Sequence, residues 1–124
     1  MYYDADLTNR IIEAAIEVHR NLGPGLIESI YETCLCHEFA ERSLSFERQK
    51  EIVLTYKGIS LDNICRLDLV VEGKVILELK SVDQLHSIHE AQLLTYLKLS
   101  GLKTGLLINF NSRLLKDGIR RFVV

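Results

Sequence analysis

Residues 66–80 read RLDLVVEGKVILELK. Two apolar, β-rich runs flank the tripeptide at 72–74, whose central glycine favours a tight turn, so the stretch predicts a β-hairpin. Three charged residues, Asp68, Glu78 and Lys80, stand inside these otherwise apolar strands. Their positions in the hairpin decide what the chain is able to do.

The length of the turn sets the face of the sheet that each charged residue occupies. Opposite residues of an antiparallel pair point to the same side, and a slip of one residue turns every side chain to the other face. A three-residue turn places Val71 opposite Val75 and therefore Asp68 opposite Glu78, with Lys80 two residues along. The hairpin then brings both carboxylates to one side of the sheet.

Strand alternation also sorts the apolar residues of the first strand. It places Leu67, Leu69 and Val71 on one face, and Asp68 and Val70 on the other. We therefore expect Leu67 to pack with Leu69 and Val71 in a single layer of the core.

Two carboxylates that converge in a half-buried sheet repel each other unless a cation lies between them. Oxygen ligands select hard cations such as Mg²⁺ or Mn²⁺, which polarise phosphates and acidify water. A neighbouring lysine orients that water or offsets developing negative charge. In the alternative interpretation, Asp68, Glu78 and Lys80 lie on a solvated sheet face and pair with one another. The spacing alone leaves both interpretations open.

The remaining sequence predicts helices on both sides of the hairpin. The first helix covers residues 8–21, with Asp6 or Thr8 as its N-cap and Gly23 as its stop signal. The other predicted elements are a helix at 28–42, strands at 51–56 and 59–61, a helix from Asp83 or Ser87 to residue 99, and strands at 104–110 and 119–124. The order ααβββαββ predicts one mixed α/β domain over residues 1–124, with a central sheet.

The overall charge argues against a strong nucleic-acid binder. The chain of 124 residues has 15 Lys and Arg against 17 Asp and Glu, a net charge of −2. Phosphate neutralisation supplies most non-specific affinity for nucleic acid, and a visible basic excess normally accompanies it. Binding to DNA or RNA would therefore be weak, confined to one face, or assisted by a homodimer or a partner protein.

Cysteine usage and hydropathy indicate the compartment. Three cysteines without a CxxC pair favour a reducing environment over a disulfide framework. Cys34, Cys36 and His37 do not have zinc-site spacing, so we interpret Cys34 and Cys36 as small helix residues. The chain opens without a signal-peptide pattern, and its apolar runs fall far short of the ~20 residues of a membrane span. We expect a cytoplasmic protein without membrane contact.

The spacing of the charged residues resembles the signature of the PD-(D/E)XK nuclease superfamily. Asp68 is followed after nine residues by Glu-Leu-Lys at 78–80, with Leu67 in the position where a proline often stands. On the third predicted helix, Gln92 and Tyr96 resemble the QxxxY motif of the RecB-like and lambda-exonuclease-like branches. Residues four apart share one helix face, as two side chains that touch one site must.

A second resemblance extends over nearly the whole chain. The segment GLIESIYE at 25–32 is similar to the motif that names the GxxExxY proteins, small members of the same superfamily. Segments at 18–25, 92–97 and 105–110 also match.

The resemblance implies a restriction-endonuclease-like core, in which a mixed sheet is flanked by helices. It implies a metal held by Asp68 and Glu78, with Glu28 as an additional acidic ligand, and Lys80 as the catalytic lysine. Gln92 and Tyr96 would position the substrate or the ligands. The implied activity is metal-dependent cleavage of DNA or RNA. Two alternatives remain: a catalytically silent nucleic-acid-binding module, and a structural homodimeric interaction protein.

Overall fold

The computed structural model describes residues 4–124, without the side chains of residues 62–64. In chain order its elements are α1 (Ala5–Leu22), α2 (Glu28–Glu41), β1 (Phe46–Tyr56), β2 (Ile59–Val71), β3 (Val75–Lys80), α3 (Ser87–Ser100), β4 (Thr104–Asn109), a short 3₁₀ helix (Leu115–Gly118) and β5 (Ile119–Val123). This is the predicted order ααβββαββ. None of the helices in the described part of the chain has the length and apolar character needed to cross a membrane.

The five strands form one mixed sheet in the order β1-β2-β3-β4-β5. Strands β3 and β4 are parallel, and the other neighbouring pairs are antiparallel. Helix α3 connects the parallel pair, because parallel neighbours need a long crossover. The architecture is the predicted mixed sheet flanked by helices, consistent with a restriction-endonuclease-like fold.

Each face of the sheet has its own apolar core. On one face, α1 and α2 pack on alternate residues of β2, β3 and β4, in a first core that includes Ile11, Leu35, Phe39, Leu77 and Phe110. On the other face, α3 packs through Leu93, Tyr96 and Leu97 on a smaller second core that includes Leu67, Val70, Ile76 and Leu107. Residues of β3 thus alternate between the two cores, as a central strand requires.

Helix α1 begins earlier than predicted. It starts at Ala5 after Asp4, whose backbone is left-handed with a φ of 57°. The prediction of Asp6 or Thr8 as N-cap is therefore wrong, and the Thr8 hydroxyl instead donates to the carbonyl of Ala5 at 3.0 Å. The predicted stop is confirmed: Gly23 follows the last helical residue with a φ of 69°, and its N–H donates to the carbonyl of His19 at 2.8 Å.

Strands β1 and β2 are longer than the sequence predicts. β1 begins at Phe46, and β2 runs without interruption from Ile59 to Val71. Strand β1 lies at an exposed edge of the sheet, so charged residues are tolerated near its start. These residues hide the apolar pattern by which a strand is recognised in a sequence. Pairing along nearly the whole length of the two strands keeps both extended. Asp117 and Gly118 lie in the 3₁₀ helix that precedes β5.

Candidate active site

The turn between β2 and β3 has the predicted three residues. Val71 pairs with Val75, and the N–H of Lys74 donates to the carbonyl of Val71 at 2.9 Å. Glu72 and Gly73 both have positive φ, at 54° and 65°. This conformation suits glycine at the second position, and it closes the turn in the register that aligns the two carboxylates.

Beyond the turn, the two strands separate and two carboxylates occupy the opening. The regular pairs end at Leu69 opposite Leu77. Next along the strands, the N–H of Asp68 donates to Oε1 of Glu78 at 3.3 Å, and the N–H of Leu79 donates to Oδ2 of Asp68 at 2.8 Å. Side-chain oxygens thus replace strand carbonyls as acceptors. The opening brings the carboxylates of Asp68 and Glu78 together.

The alternation of β2 breaks at Asp68. Leu69 and Val71 pack in the first core, as expected, but Leu67 packs in the second core on the other face. The expectation that Leu67 shares a layer with Leu69 is therefore wrong. The neighbouring strand has a matching irregularity, because Gln49 has a φ of 52°. Local backbone distortion of this kind re-aims a side chain, here the carboxylate that points toward β3.

Both carboxyl groups hold protons more strongly than free carboxyls. Glu78 is only 5% exposed, and its burial, followed by the nearby charge of Asp68, raises its pKa to about 8. Burial also raises the pKa of Asp68, although the N–H of Leu79 opposes this by stabilising the carboxylate. A buried and a half-buried acid that resist joint ionisation form a site that favours a bound cation.

Lys80 supplies positive charge beside this pair. It is half-buried at the end of β3, two residues after Glu78 and therefore on the same face of the strand. Its ammonium group lowers the pKa of both Asp68 and Glu78, but less than burial raises each. The structure thus places the carboxylates and the lysine at one position.

Glu28 approaches the same end of β3 from the first turn of α2. Its Oε2 accepts a hydrogen bond from the N–H of Ser81 at 3.3 Å, and the Ser81 hydroxyl donates to the carbonyl of Leu26 at 2.5 Å. The hydroxyl of the buried Tyr31 donates to the carbonyl of Gly23 at 2.5 Å and accepts from the N–H of Leu26 at 3.1 Å. The α1–α2 corner is therefore tied to the end of β3, and Glu28 with it.

Gln92 and Tyr96 lie on α3, on the second-core side of the sheet. Tyr96 is buried in that core, and its burial, followed by the charge of Glu78, raises its pKa. Gln92 is exposed, and its side chain opposes this rise in the pKa of Tyr96. Gln92 therefore lies exposed beside a tyrosine whose pKa responds to the carboxylate of Glu78.

A family model matches this chain over nearly all of the helices and strands described above. A model of the PD-(D/E)XK nuclease superfamily matches residues 5–122. The chain belongs to the PD-(D/E)XK nuclease superfamily. No curated protein and no solved structure matches it.

One acidic residue of this superfamily member was not singled out from the sequence. Glu32 lies one turn after Glu28 on α2 and is only 7% exposed. It accepts hydrogen bonds from Nε of Arg48 at 2.6 Å and from Nε2 of Gln49 at 2.8 Å, and its charge raises the pKa of Asp68. The spacing of four residues from Glu28 was the available signal, because such residues share a helix face.

Asn109 is a second polar residue that sequence reasoning did not weigh. It is 3% exposed and pairs with Lys80 across the parallel strands. Its Oδ1 accepts from the N–H of Val82 at 3.1 Å, and its Nδ2 donates to the carbonyl of Val82 at 2.9 Å. An asparagine inside a buried strand needs partners. Here it fastens the chain that leaves β3 directly after Lys80.

Two histidines lie at the start of α3, and one of them, His89, is close to Lys80. The N–H of His86 donates to Nδ1 of His89 at 3.1 Å. Burial, followed by the positive charges of Lys80 and His86, lowers the pKa of His89. His89 is thus held near Lys80, while His86 is exposed.

The donor set suits a hard divalent cation better than zinc. Asp68 and Glu78 offer oxygen atoms only, and Mg²⁺ typically binds one or two protein carboxylates and retains several waters. Among the described side chains, no three from His, Cys, Asp and Glu form a metal-binding cluster. Cys36 is buried, and His37 is exposed and pairs with Glu41 at 3.2 Å. These contacts agree with the interpretation of the cysteines as helix residues.

Proposed function

We propose that this chain is a divalent-metal-dependent nuclease that hydrolyses phosphodiester bonds in DNA or RNA. The observation that carries the proposal is the opening between β2 and β3, where Asp68 and Glu78 converge beside Lys80. Membership of the PD-(D/E)XK nuclease superfamily supports it, because members usually hydrolyse these bonds. The similarity of segment 25–32 to the GxxExxY motif supports placing the chain in that subgroup.

In this proposal Asp68 and Glu78 hold Mg²⁺ or Mn²⁺, and Glu28 is a further acidic ligand, directly or through water. The raised pKa values of the two carboxyls support it. They show that ionising both acids is costly because of burial and mutual repulsion, and a bound cation offsets that cost. When bound, the cation polarises a phosphate oxygen and acidifies water. The bond from Ser81 holds Glu28 at the edge of the site.

The lysine and the α3 residues act on the substrate in this proposal. Lys80 is charged and half-buried, so its ammonium is available to orient the attacking water and to stabilise charge that develops on the phosphate. The exposed amide of Gln92 is accessible to a nucleotide, and it lies beside Tyr96. Both would position the substrate rather than react with it.

The proposal includes weak substrate binding in the cytoplasm. The net charge of −2 provides little general attraction for phosphates, so a homodimer or a partner protein would assist binding. Cys34, Cys36 and Cys65 are free thiols, which favour a reducing compartment.

A cleavage assay tests this function. Purified protein is incubated with single- and double-stranded DNA and RNA in Mg²⁺, Mn²⁺ or EDTA. We expect metal-dependent cleavage, abolished in Asp68→Asn and reduced by roughly 100-fold in Lys80→Met, since loss of one charge-stabilising group typically costs that much. Lys74→Met is the matched control, because it removes an exposed lysine from the turn of the same hairpin.

The other outcomes separate the alternatives. Activity that persists in both site variants belongs to a contaminant. Metal binding without cleavage of any substrate supports the catalytically silent module. If Mg²⁺ and Mn²⁺ neither raise the melting temperature nor support cleavage, the nuclease proposal is wrong and the interaction protein is favoured.

A further inference from the structure

Strand β1 leaves a long edge of the sheet without a strand beside it. Its one neighbour in the described sheet is β2, and it extends over eleven residues, Phe46–Tyr56. Exposed strand edges present unpaired N–H and C=O groups that pair readily with another chain. The outer half of this hairpin also exposes large apolar side chains, with Val53 and Tyr56 both 59% exposed and Ile59 62% exposed.

We propose that a second copy of this chain pairs with the β1 edge in antiparallel register, with Leu54 on the two-fold axis. The pairing joins the two sheets into one continuous ten-stranded sheet. This inference concerns a surface away from the carboxylate site, and it does not depend on the proposed nuclease activity.

The backbone limits the part of β1 that is able to pair. Gln49 and Lys57 have left-handed φ values of 52° and 47°. The regular extended edge therefore lies between them, over residues 50–56. The irregularity in the β1–β2 ladder inserts its extra residues on the β2 side, because Val53 pairs with Ile64 and Thr55 with Ser60. The outer edge of β1 remains regular.

Symmetry limits the possible registers. A two-fold axis perpendicular to the sheet keeps each side chain on its own face, and neighbouring residues of a strand alternate between faces. Because opposite residues share a face, only residues of the same parity can stand opposite each other. The axis must therefore lie between one residue and the same residue of the second copy. An axis midway between two neighbouring residues of a strand is excluded.

Charge selects one of these registers. An axis through Leu54 brings Lys57, the turn residue that directly follows the regular edge, beside Glu51 of the second copy, and symmetry repeats this ion pair. Axes through Ile52, Val53 or Thr55 place Glu51 opposite an uncharged residue. Glu51 already pairs with Arg66 of its own chain at 3.3 Å, so the second copy would extend this pair into a three-charge network.

In the same register, the exposed side chain of Tyr56 meets an apolar groove on the second copy. It sets Tyr56 of the second copy opposite Ile52, which packs against the second core. A groove of about 350 Å³ lies there, lined by residues that include Ile52, Leu67, Leu99 and Leu102. Tyrosine is a frequent anchor of protein interfaces because it buries a large area and loses little conformational entropy. Each copy would fill the groove of the other.

Sedimentation velocity over a range of concentrations tests the pairing through a charge swap. We expect a reversible dimer whose dissociation constant rises at least tenfold in Lys57→Glu, since two attractive pairs become repulsive. The double variant Glu51→Lys/Lys57→Glu restores opposite charges and should restore the dimer. Glu13→Lys, an exposed site on α1, is the control and should leave the dimer unchanged.

A cysteine cross-link tests the register. Leu54→Cys places two thiols opposite each other across the axis, within reach of a disulfide. In Thr55→Cys the two new thiols do not lie opposite each other. This variant should therefore not cross-link above the level of the wild type, which carries the same native cysteines. The inference is wrong if the wild type stays monomeric at millimolar concentration, if the swap does not rescue the dimer, or if Thr55→Cys cross-links as well as Leu54→Cys.

Discussion

Glu78 is a buried carboxyl, and it makes stability depend on pH. Its pKa rises from 4.5 to about 8, mainly because it is buried and secondly because Asp68 is near. Between these pH values the folded protein keeps a proton that the unfolded chain has lost. The free energy of unfolding therefore falls as the pH rises through this window.

The variant Glu78→Gln should remove this pH dependence. Each pKa unit corresponds to about 1.4 kcal/mol, so we expect the metal-free variant to be more stable than the wild type by a few kcal/mol at pH 8. Below pH 4.5 the difference should vanish, because the wild-type carboxyl is then protonated in both states. Urea denaturation in EDTA between pH 4 and pH 8.5 measures it.

A metal titration separates this effect from ordinary repacking. At pH 8, Mg²⁺ should stabilise the wild type, because a ligand that binds only the folded state raises the free energy of unfolding. It should do so much less in Glu78→Gln. The control Glu13→Gln, on the exposed side of α1, should follow the wild type. A wild type whose stability is flat from pH 5 to pH 8 would contradict the raised pKa.

At the scale of elements, the fold was largely predictable because the strongest patterns are local. The apolar runs on both sides of Gly73 predicted the hairpin, and the turn has the expected length. The helix N-cap at Asp6 or Thr8 was wrong, because Asp4 adopts a left-handed backbone that no pattern signals. The early start of β1 at Phe46 was missed, because pairing with β2 keeps its charged residues extended.

The candidate site was predictable only in part, because it depends on tertiary contacts. The register of β2 and β3, which follows from the turn length, is sufficient to bring Asp68 next to Glu78. The face of Leu67 was mispredicted, because the strand distorts where the carboxylate turns into the opening between β2 and β3. Glu32 and Asn109 acquire their partners only when α2 and β4 pack against the hairpin and its exit. Periodicity carries no information about such partners.

The exit of β3 depends on the buried amide of Asn109. Replacing it in Asn109→Leu leaves the N–H and the carbonyl of Val82 without this partner, at about 1–3 kcal/mol for each unsatisfied group. We expect a loss of about 2–4 kcal/mol in urea denaturation and reduced cleavage, because Lys80 lies directly across from this position. Asn111→Leu is the comparison. It should cost less, since its half-buried amide makes one 3.3 Å bond to Val82. Equal losses in both variants would contradict the role of Asn109.

The α1–α2 corner depends on the hydroxyl of Tyr31. Its ring stacks on Phe110 with 4.6 Å between centroids, and its hydroxyl bonds both Gly23 and Leu26. Tyr31→Phe keeps the stacking and removes both bonds, so we expect a loss of about 1–3 kcal/mol. Thermal and urea denaturation measure the loss at concentrations too low for self-association. Tyr56→Phe changes an exposed ring and should be neutral. A neutral Tyr31→Phe would mean that the hydroxyl does not hold the corner.

For the whole molecule, the net negative charge and the clustered carboxylates both oppose the binding of phosphate groups. The chain has a net charge of −2, and four of its acidic residues lie within one region: Glu28, Glu32, Asp68 and Glu78. Above pH 8, where Glu78 is ionised, phosphate oxygens approaching this region meet negative charge unless a cation is present. Nucleic-acid binding should therefore require the metal as strongly as cleavage does.

Fluorescence anisotropy with a labelled oligonucleotide at pH 9, where Glu78 is ionised, measures this requirement. In EDTA we expect dissociation constants weaker than about 10⁻⁴ M, at or beyond the weak end of typical non-specific binding. Ca²⁺, as a cation that fills oxygen sites, should strengthen binding at least tenfold in the wild type. The double variant Asp68→Asn/Glu78→Gln removes two acids, so it should bind better than the wild type in EDTA and respond little to Ca²⁺. Tight binding by the wild type in EDTA would contradict this account, because the phosphates would then be held by a basic surface and not through the two carboxylates.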